Sequence, residues 1–211
     1  MDRKPLTDSD PYRTIAAATQ VEIDKVSGSR FLADAAPITT AAEAQAVIAR
    51  ARSDNADATH HCWAYRLAPP KPDFRWSDDG EPINTAGKPI LQRIDGVSLA
   101  NVVVVVTRWF GGTKLGTGGL IRAYGDAARA ALEAADVVVA VPLMAVRMSF
   151  EYGLSGPVQG VLNAFALSPT GADYGADVTL DVACPLARID ALVRSLGEVT
   201  AGRARVIVDP D

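Results

Sequence analysis

The stretch VVVVVTRWFGGTKLGTGGLIRAYGDA, residues 102–127, decides the architecture. Side chains of a strand alternate between the two faces of a sheet, so five consecutive valines at 102–106 describe a strand buried on both sides. After a basic, aromatic, glycine-dense turn the period changes. From about Gly118 to Ala135, Leu120, Tyr124, Ala127, Ala131 and Leu132 recur on one side of a helix. Arg122, Asp126, Arg129 and Glu133 occupy another side and support it as i,i+4 neighbours.

The turn itself, RWFGGTKLGTGG, brings five glycines and Thr117 to the start of that helix. The first amides of a helix have no intrahelical acceptor, and the aligned peptide dipoles add about half a positive charge there. Glycines let main-chain N–H groups approach a phosphate, and Arg108 and Lys114 would supply full charges. The spacing matches neither GxxxxGK[ST] nor GxGxxG, so neither a Walker loop nor a dinucleotide fingerprint is supported. A plainer account has the glycines permit a tight strand-to-helix turn and close packing, as Gly125 in the middle of the helix suggests. Five glycines, two cations, Trp109, Phe110 and a helix start within twelve residues favour an anion site, with phosphate of a nucleic acid as its ligand.

Around this unit the chain reads as strands and helices in both directions. YRTIAAATQVEIDKV and SRFLADAAPI, separated by Ser27-Gly28, read as a hairpin. TTAAEAQAVIARARSDN reads as a helix capped by Thr39 or Thr40, and THHCWAYRL as a strand. APPKPDFRWSDDGEP reads as loop, and TAGKPILQRI as a short helix with Thr85 as cap. Beyond Asp136 the order strand, helix, hairpin, helix, strand is the βαββαβ of a ferredoxin-like domain. The expected division is therefore 1–135 and 136–211, an α+β chain of two domains.

Composition bounds the function classes. In 211 residues, 48% hydrophobic and 22% charged, neither a disordered nor a collagen-like chain is in view. Residues 1–135 carry 16 basic and 16 acidic side chains, while 136–211 carry 5 and 9, so the acidic surplus behind the net charge of -4 is C-terminal. A polyanion would bind near the basic turn. Cys62 and Cys184 stand alone without a CxxC pattern, which suits a reducing compartment. The absence of an apolar leader and of a long apolar run gives the expectation of a cytoplasmic protein without a membrane partner.

Three carboxylates, Asp78, Asp79 and Glu81, share one loop. They could ligate a hard cation, act as acid and base, or pair with Arg108 or Arg122 to order the turn. His60, His61 and Cys62 resemble a metal cluster, but on a strand His60 and Cys62 face one way and His61 the other. Two ligands are fewer than zinc requires. The residues thus assign no catalytic group, no metal and no cofactor.

Together THHCWAYR, SDDGEP, TAGKPIL and the valine-to-helix stretch resemble the YigZ/Impact family in order and spacing. The resemblance implies an N-terminal domain like the second domain of a small-subunit ribosomal protein, a β-sheet with helices on one face. It implies a C-terminal domain similar to the last domain of elongation factor G. Eukaryotic members act in translational control by binding a ribosome-associated activator of a stress kinase, and bacterial members are suspected of nucleic-acid or ribosome binding, which together imply RNA, the ribosome or a translation-related protein as partner. The family motifs carry over onto His60, Asp78, Asp79, Glu81, Thr85, Gly87, Arg108, Gly111, Gly112, Lys114, Gly116, Gly118, Gly119 and Arg122, with Thr117 added from the turn. Asn84 stands where the pattern leads to a glycine, and Trp109 where it leads to a tyrosine. The expected function is an accessory factor or regulator of translation; the alternative is an enzyme using the Asp-Asp-Gly-Glu loop on an anionic small molecule.

Overall fold

The computed structural model describes residues 10–209, which form two compact units, one over Tyr12–Ala140 and one that joins residues 10 and 11 to the chain from Val141 onward. The first unit holds β1 (Tyr12–Ile15), β2 (Thr19–Val26), β3 (Ser29–Pro37), α1 (Ala41–Asp54), β4 (His60–Arg66), β5 (Phe74–Ser77), α2 (Gly87–Gly96), β6 (Val102–Trp109), α3 (Gly116–Glu133) and β7 (Val137–Ala140). Strands β2-β3-β6-β4-β5 form one antiparallel sheet with β6 at its centre.

The valine run explains why β6 is central. Val102 to Val106 are all fully buried, with Val102, Val104 and Val106 in one core and Val103 and Val105 in another. The first core receives α2 and α3 through Ile90, Ile94, Leu120, Tyr124 and Ala127. Its sheet side is flanked by Ala33, Ala35, Cys62 and Ala64, small residues in register with the valines that let the helices approach closely. The second core receives Ala44, Ile48 and Ala51 of α1 against Tyr65, Val103 and Val105. Helices therefore cover both faces, not one. Period-2 side chains that are apolar at every position require this, each buried valine contributing about 1.5–3 kcal/mol.

Local signals behave as their chemistry dictates, with three corrections. Thr40 caps α1, its Oγ1 accepting from Glu43 N at 3.1 Å, while Glu43 accepts from Thr39 N at 2.6 Å. The segment from Tyr12 is not one strand: β1 turns away and pairs antiparallel with β7, Tyr12 opposite Ala140. That pairing keeps residues 137–140 in the first unit, so the restart of the pattern at Asp136 falls before the junction of the two units. Phe74–Ser77, expected as loop, is an edge strand in register with Trp63–Arg66 of β4. Prolines 69, 70 and 72 hide it from a composition-based reading, although an edge strand tolerates such flanks.

The second unit follows the expected order: β8 (Leu143–Phe150), α4 (Ser155–Ala164), β9 (Pro169–Tyr174), β10 (Val178–Pro185), α5 (Ile189–Thr200) and β11 (Arg205–Val208). Its antiparallel sheet runs β11-β8-β10-β9, so each outer strand pairs with a strand from the other half of the unit. Alternate residues Val146, Met148, Phe150, Val178, Leu180 and Val182 pack under Val158, Leu162, Leu192 and Leu196 of the helices. On the other face Arg147 donates to both oxygens of Asp181, at 2.8 and 3.0 Å.

Candidate functional site

The acidic loop after β5 is the keystone of the first unit. Asp78 Oδ1 accepts from the amides of Ala86 and Gly87 at 3.0 and 2.9 Å, and its Oδ2 from Asn84 N at 2.8 Å. Asp78, not Thr85, therefore caps α2, because a carboxylate satisfies several orphan amides at once. Thr85 is buried and donates to Pro82 O at 2.7 Å. Asn84 adopts φ +61°, the left-handed conformation that asparagine tolerates where the family pattern leads to glycine. Gly87 lies so close to β5 that a Cβ would meet Ser77 O at 2.6 Å, which assigns this glycine to packing.

Asp79 ties the loop to β4 and α1. Its Oδ1 accepts from Arg52 Nη2 at 2.6 Å and its Oδ2 from His61 N at 2.7 Å. His60 Nδ1 lies 2.8 Å from Asp79 O, and His61 Nε2 lies 3.1 Å from Asn55 O on the other side of the strand. The two histidines thus diverge as strand alternation requires. Cys62 is fully buried and donates its thiol to Asp78 O at 3.0 Å. Burial pushes that thiol well above its ordinary pKa, so it stays protonated and unreactive. Among the described residues no group of three His, Cys, Asp or Glu side chains is arranged to hold a metal.

Glu81 enters the core beneath the glycine turn. Its Oε1 accepts from Arg108 Nη1 at 2.6 Å and from Tyr124 Oη at 2.7 Å, and His60 Nε2 lies 3.8 Å away. Arg108 is only 4% exposed, lies under the ring of Phe110 at 5.5 Å, and donates from Nη2 to Ser29 Oγ at 3.1 Å. The charge expected at the surface from Arg108 is therefore neutralised inside, by the pairing with the acidic loop that was one of its expected alternatives. Burial also drives the Tyr124 phenol upward, leaving it a neutral donor to Glu81. Ser29 and Tyr124 escape a motif-based reading. The legible signal is a tyrosine on the buried face of a helix, since its hydroxyl needs a partner there.

Above this buried network the turn divides into a packed half and an open half. Gly111 touches the β2–β3 turn so tightly that a Cβ would fall 1.9 Å from Gly28 C, and its amide donates to Ser29 Oγ at 3.2 Å. Gly112 and Gly116 take φ +88° and +69°. Gly119 faces Leu115, whose Cβ would lie 3.0 Å from an added methyl. Gly118 differs from all of these. It is exposed, has an ordinary helical φ, and a Cβ there would meet nothing within 4 Å. Neither packing nor backbone conformation demands a glycine at this position. Among the described residues no side chain caps α3, and Lys114, Thr117 and Arg122 are exposed beside its first turn, Arg122 Nε reaching Gly118 O at 3.4 Å.

A two-unit α+β chain with a carboxylate-stapled core and an uncapped, cation-flanked helix start is the class this geometry defines. Comparison with known proteins is specific. Residues 27–132 match the Impact N-terminal domain and residues 148–203 a domain of unknown function, DUF1949. The chain is 32% identical over 195 residues to "IMPACT family member YigZ" of Escherichia coli, covering 92% of this chain and 96% of that protein. It is 38% identical over 179 residues to a Thermus thermophilus family member, covering 84% and 97%. Mouse "Protein IMPACT" is 37% identical over 93 residues, 42% of this chain and 29% of the mouse protein. A crystal structure described as that of a hypothetical protein superposes with TM-score 0.74 at 31% identity, over 93% of this chain and 96% of that one. The chain belongs to the IMPACT family. No helix among the described residues is long and apolar enough to cross a membrane.

Proposed function

We propose that this chain is a translation-associated accessory factor that binds RNA, free or on the ribosome, through the open half of the glycine turn. The observation that carries the reading is Gly118. Glycine is a poorer helix former than alanine, and at this third position of α3 no neighbour or dihedral angle requires it. Close approach of a ligand to uncapped amides would account for it. The helix dipole, Lys114 and Arg122 supply positive potential at the same place, which suits a phosphate oxygen. The family's link to translation, implied by the sequence resemblance, supports RNA or the ribosome over a small anion. That resemblance also supports likening the first unit to the second domain of a small-subunit ribosomal protein, and the second unit to the last domain of elongation factor G. The βαββαβ order agrees with the latter.

An enzymatic use of Asp78, Asp79 and Glu81 has no support in the geometry, since each carboxylate already holds structural donors. The test is ribosome co-sedimentation and RNA binding across a salt series, with wild type, Lys114→Glu and Gly118→Ala. Lys114→Glu should weaken binding and flatten the salt slope by about 0.7 for each phosphate of a single strand that is no longer neutralised. Gly118→Ala should raise stability while lowering affinity. Absence of binding at low salt, or binding that both variants leave unchanged, overturns the reading.

A further inference from the structure

Edge strand β5 carries Phe74 and Trp76, 49% and 40% exposed. Residues two apart on a strand share a face, and register places Trp76 opposite Ala64 and Phe74 opposite Arg66. The two rings are parallel within 4°, with centroids 6.2 Å apart. The guanidinium of Arg66 lies 4.9 Å from the centre of the Phe74 ring, and is itself held by Asp95 at 2.9 Å. Phenyl and indole thus follow one another along β5, and the guanidinium covers the phenyl from the neighbouring strand β4.

We propose that this row is a stacking platform for unpaired bases of single-stranded nucleic acid. It uses residues separate from the glycine turn, and so goes beyond the reading of that site. Parallel, exposed aromatic rings on a sheet are how proteins receive successive splayed bases, because every base has a π-face. The local charge agrees: Arg66, Lys71 and Arg75 stand against Asp73 and Asp95, a surplus of one positive charge. Arg75, on the opposite face of β5, pairs with Asp73 at 3.3 Å. An added peptide strand fits the edge poorly. β5 spans four residues, and prolines 69, 70 and 72 remove donors just before it. A duplex keeps its bases stacked on each other and leaves the rings unused.

The experiment measures affinity of the full chain, at low salt, for a labelled oligouridine of about 12 nucleotides and for a duplex of the same length. Intrinsic tryptophan fluorescence is recorded alongside. The single strand should bind more tightly and quench the emission. Phe74→Ala and Trp76→Ala should each lower affinity about 5- to 150-fold, whereas Trp76→Phe should retain most affinity and lose most of the quenching. Unchanged denaturation midpoints would show that these exposed-edge variants fold. Equal affinity of the alanine variants and wild type, or preference for the duplex, overturns the platform. Lys114→Glu separates the two readings: if it leaves binding intact while Trp76→Ala does not, the platform stands and the glycine turn fails, and the reverse result removes the platform. No binding of either nucleic acid removes both.

Discussion

Replacing Glu81 by alanine is the sharpest test of how the first unit is held together. Glu81 Oε1 is the shared acceptor for Arg108 Nη1 at 2.6 Å and Tyr124 Oη at 2.7 Å, and the side chains of Glu81 and Arg108 are each only 5% exposed. Removing one partner of a buried ion pair leaves an uncompensated charge and costs about 3–5 kcal/mol. The guanidinium would keep Ser29 Oγ at 3.1 Å as an acceptor, but Nε already lacks a partner. The Tyr124 hydroxyl loses its carboxylate acceptor and keeps only Cys62 beside it, which adds to the cost, not fully additively. Against a typical total of about 5–15 kcal/mol, Glu81→Ala should bring the unit close to unfolding at ambient temperature. The assay is urea denaturation followed by tryptophan emission. Trp63, Trp76 and Trp109 all lie between Tyr12 and Ala140, so this signal reports the first unit alone. The double variant Glu81→Leu/Arg108→Met should recover much of the stability, because an apolar pair leaves no buried charge. A destabilisation below about 1 kcal/mol in Glu81→Ala, or a double variant no better than the single, would refute the view that the pair is buried and interdependent.

Two further outcomes follow from single positions. Gly111→Ala should destabilise the unit by several kcal/mol, since its Cβ would overlap the Gly28 backbone at 1.9 Å; a midpoint equal to wild type would mean the two turns do not meet this way. Asp34 is partly withdrawn from water, and desolvation raises its carboxyl pKa, with Gln20 Nε2 donating to Oδ1 at 2.7 Å and Oδ2 lacking a partner. A carboxyl pKa raised by folding makes the ionised form unfavourable in the native state, so this group opposes stability above its folded pKa and ceases to below its unfolded value. Asp34→Asn should therefore raise the denaturation midpoint at pH 7, with the gain disappearing as pH falls through the ordinary aspartate range; a variant less stable than wild type at pH 7 contradicts this.

What the sequence determined by itself rests on periodicity and local chemistry. The valine run specified a doubly covered strand, the alanine-rich 3.6 period specified α3, and the strand and helix order beyond Asp136 specified the βαββαβ unit, because each is encoded in neighbours along the chain. Pairing partners were not encoded locally. Nothing near Tyr12 announces that it faces Ala140 across more than a hundred residues, and nothing in FRWS separates an edge strand from a loop between prolines. The same holds for the site. Residues 78, 79 and 81 read as three free carboxylates until folding brings the amides of α2, Arg52, and the buried pair of Arg108 and Tyr124 to them. Burial is a property of the whole fold, and it turned Arg108 from an apparent surface cation into a structural one while leaving Lys114, Gly118 and Arg122 in water.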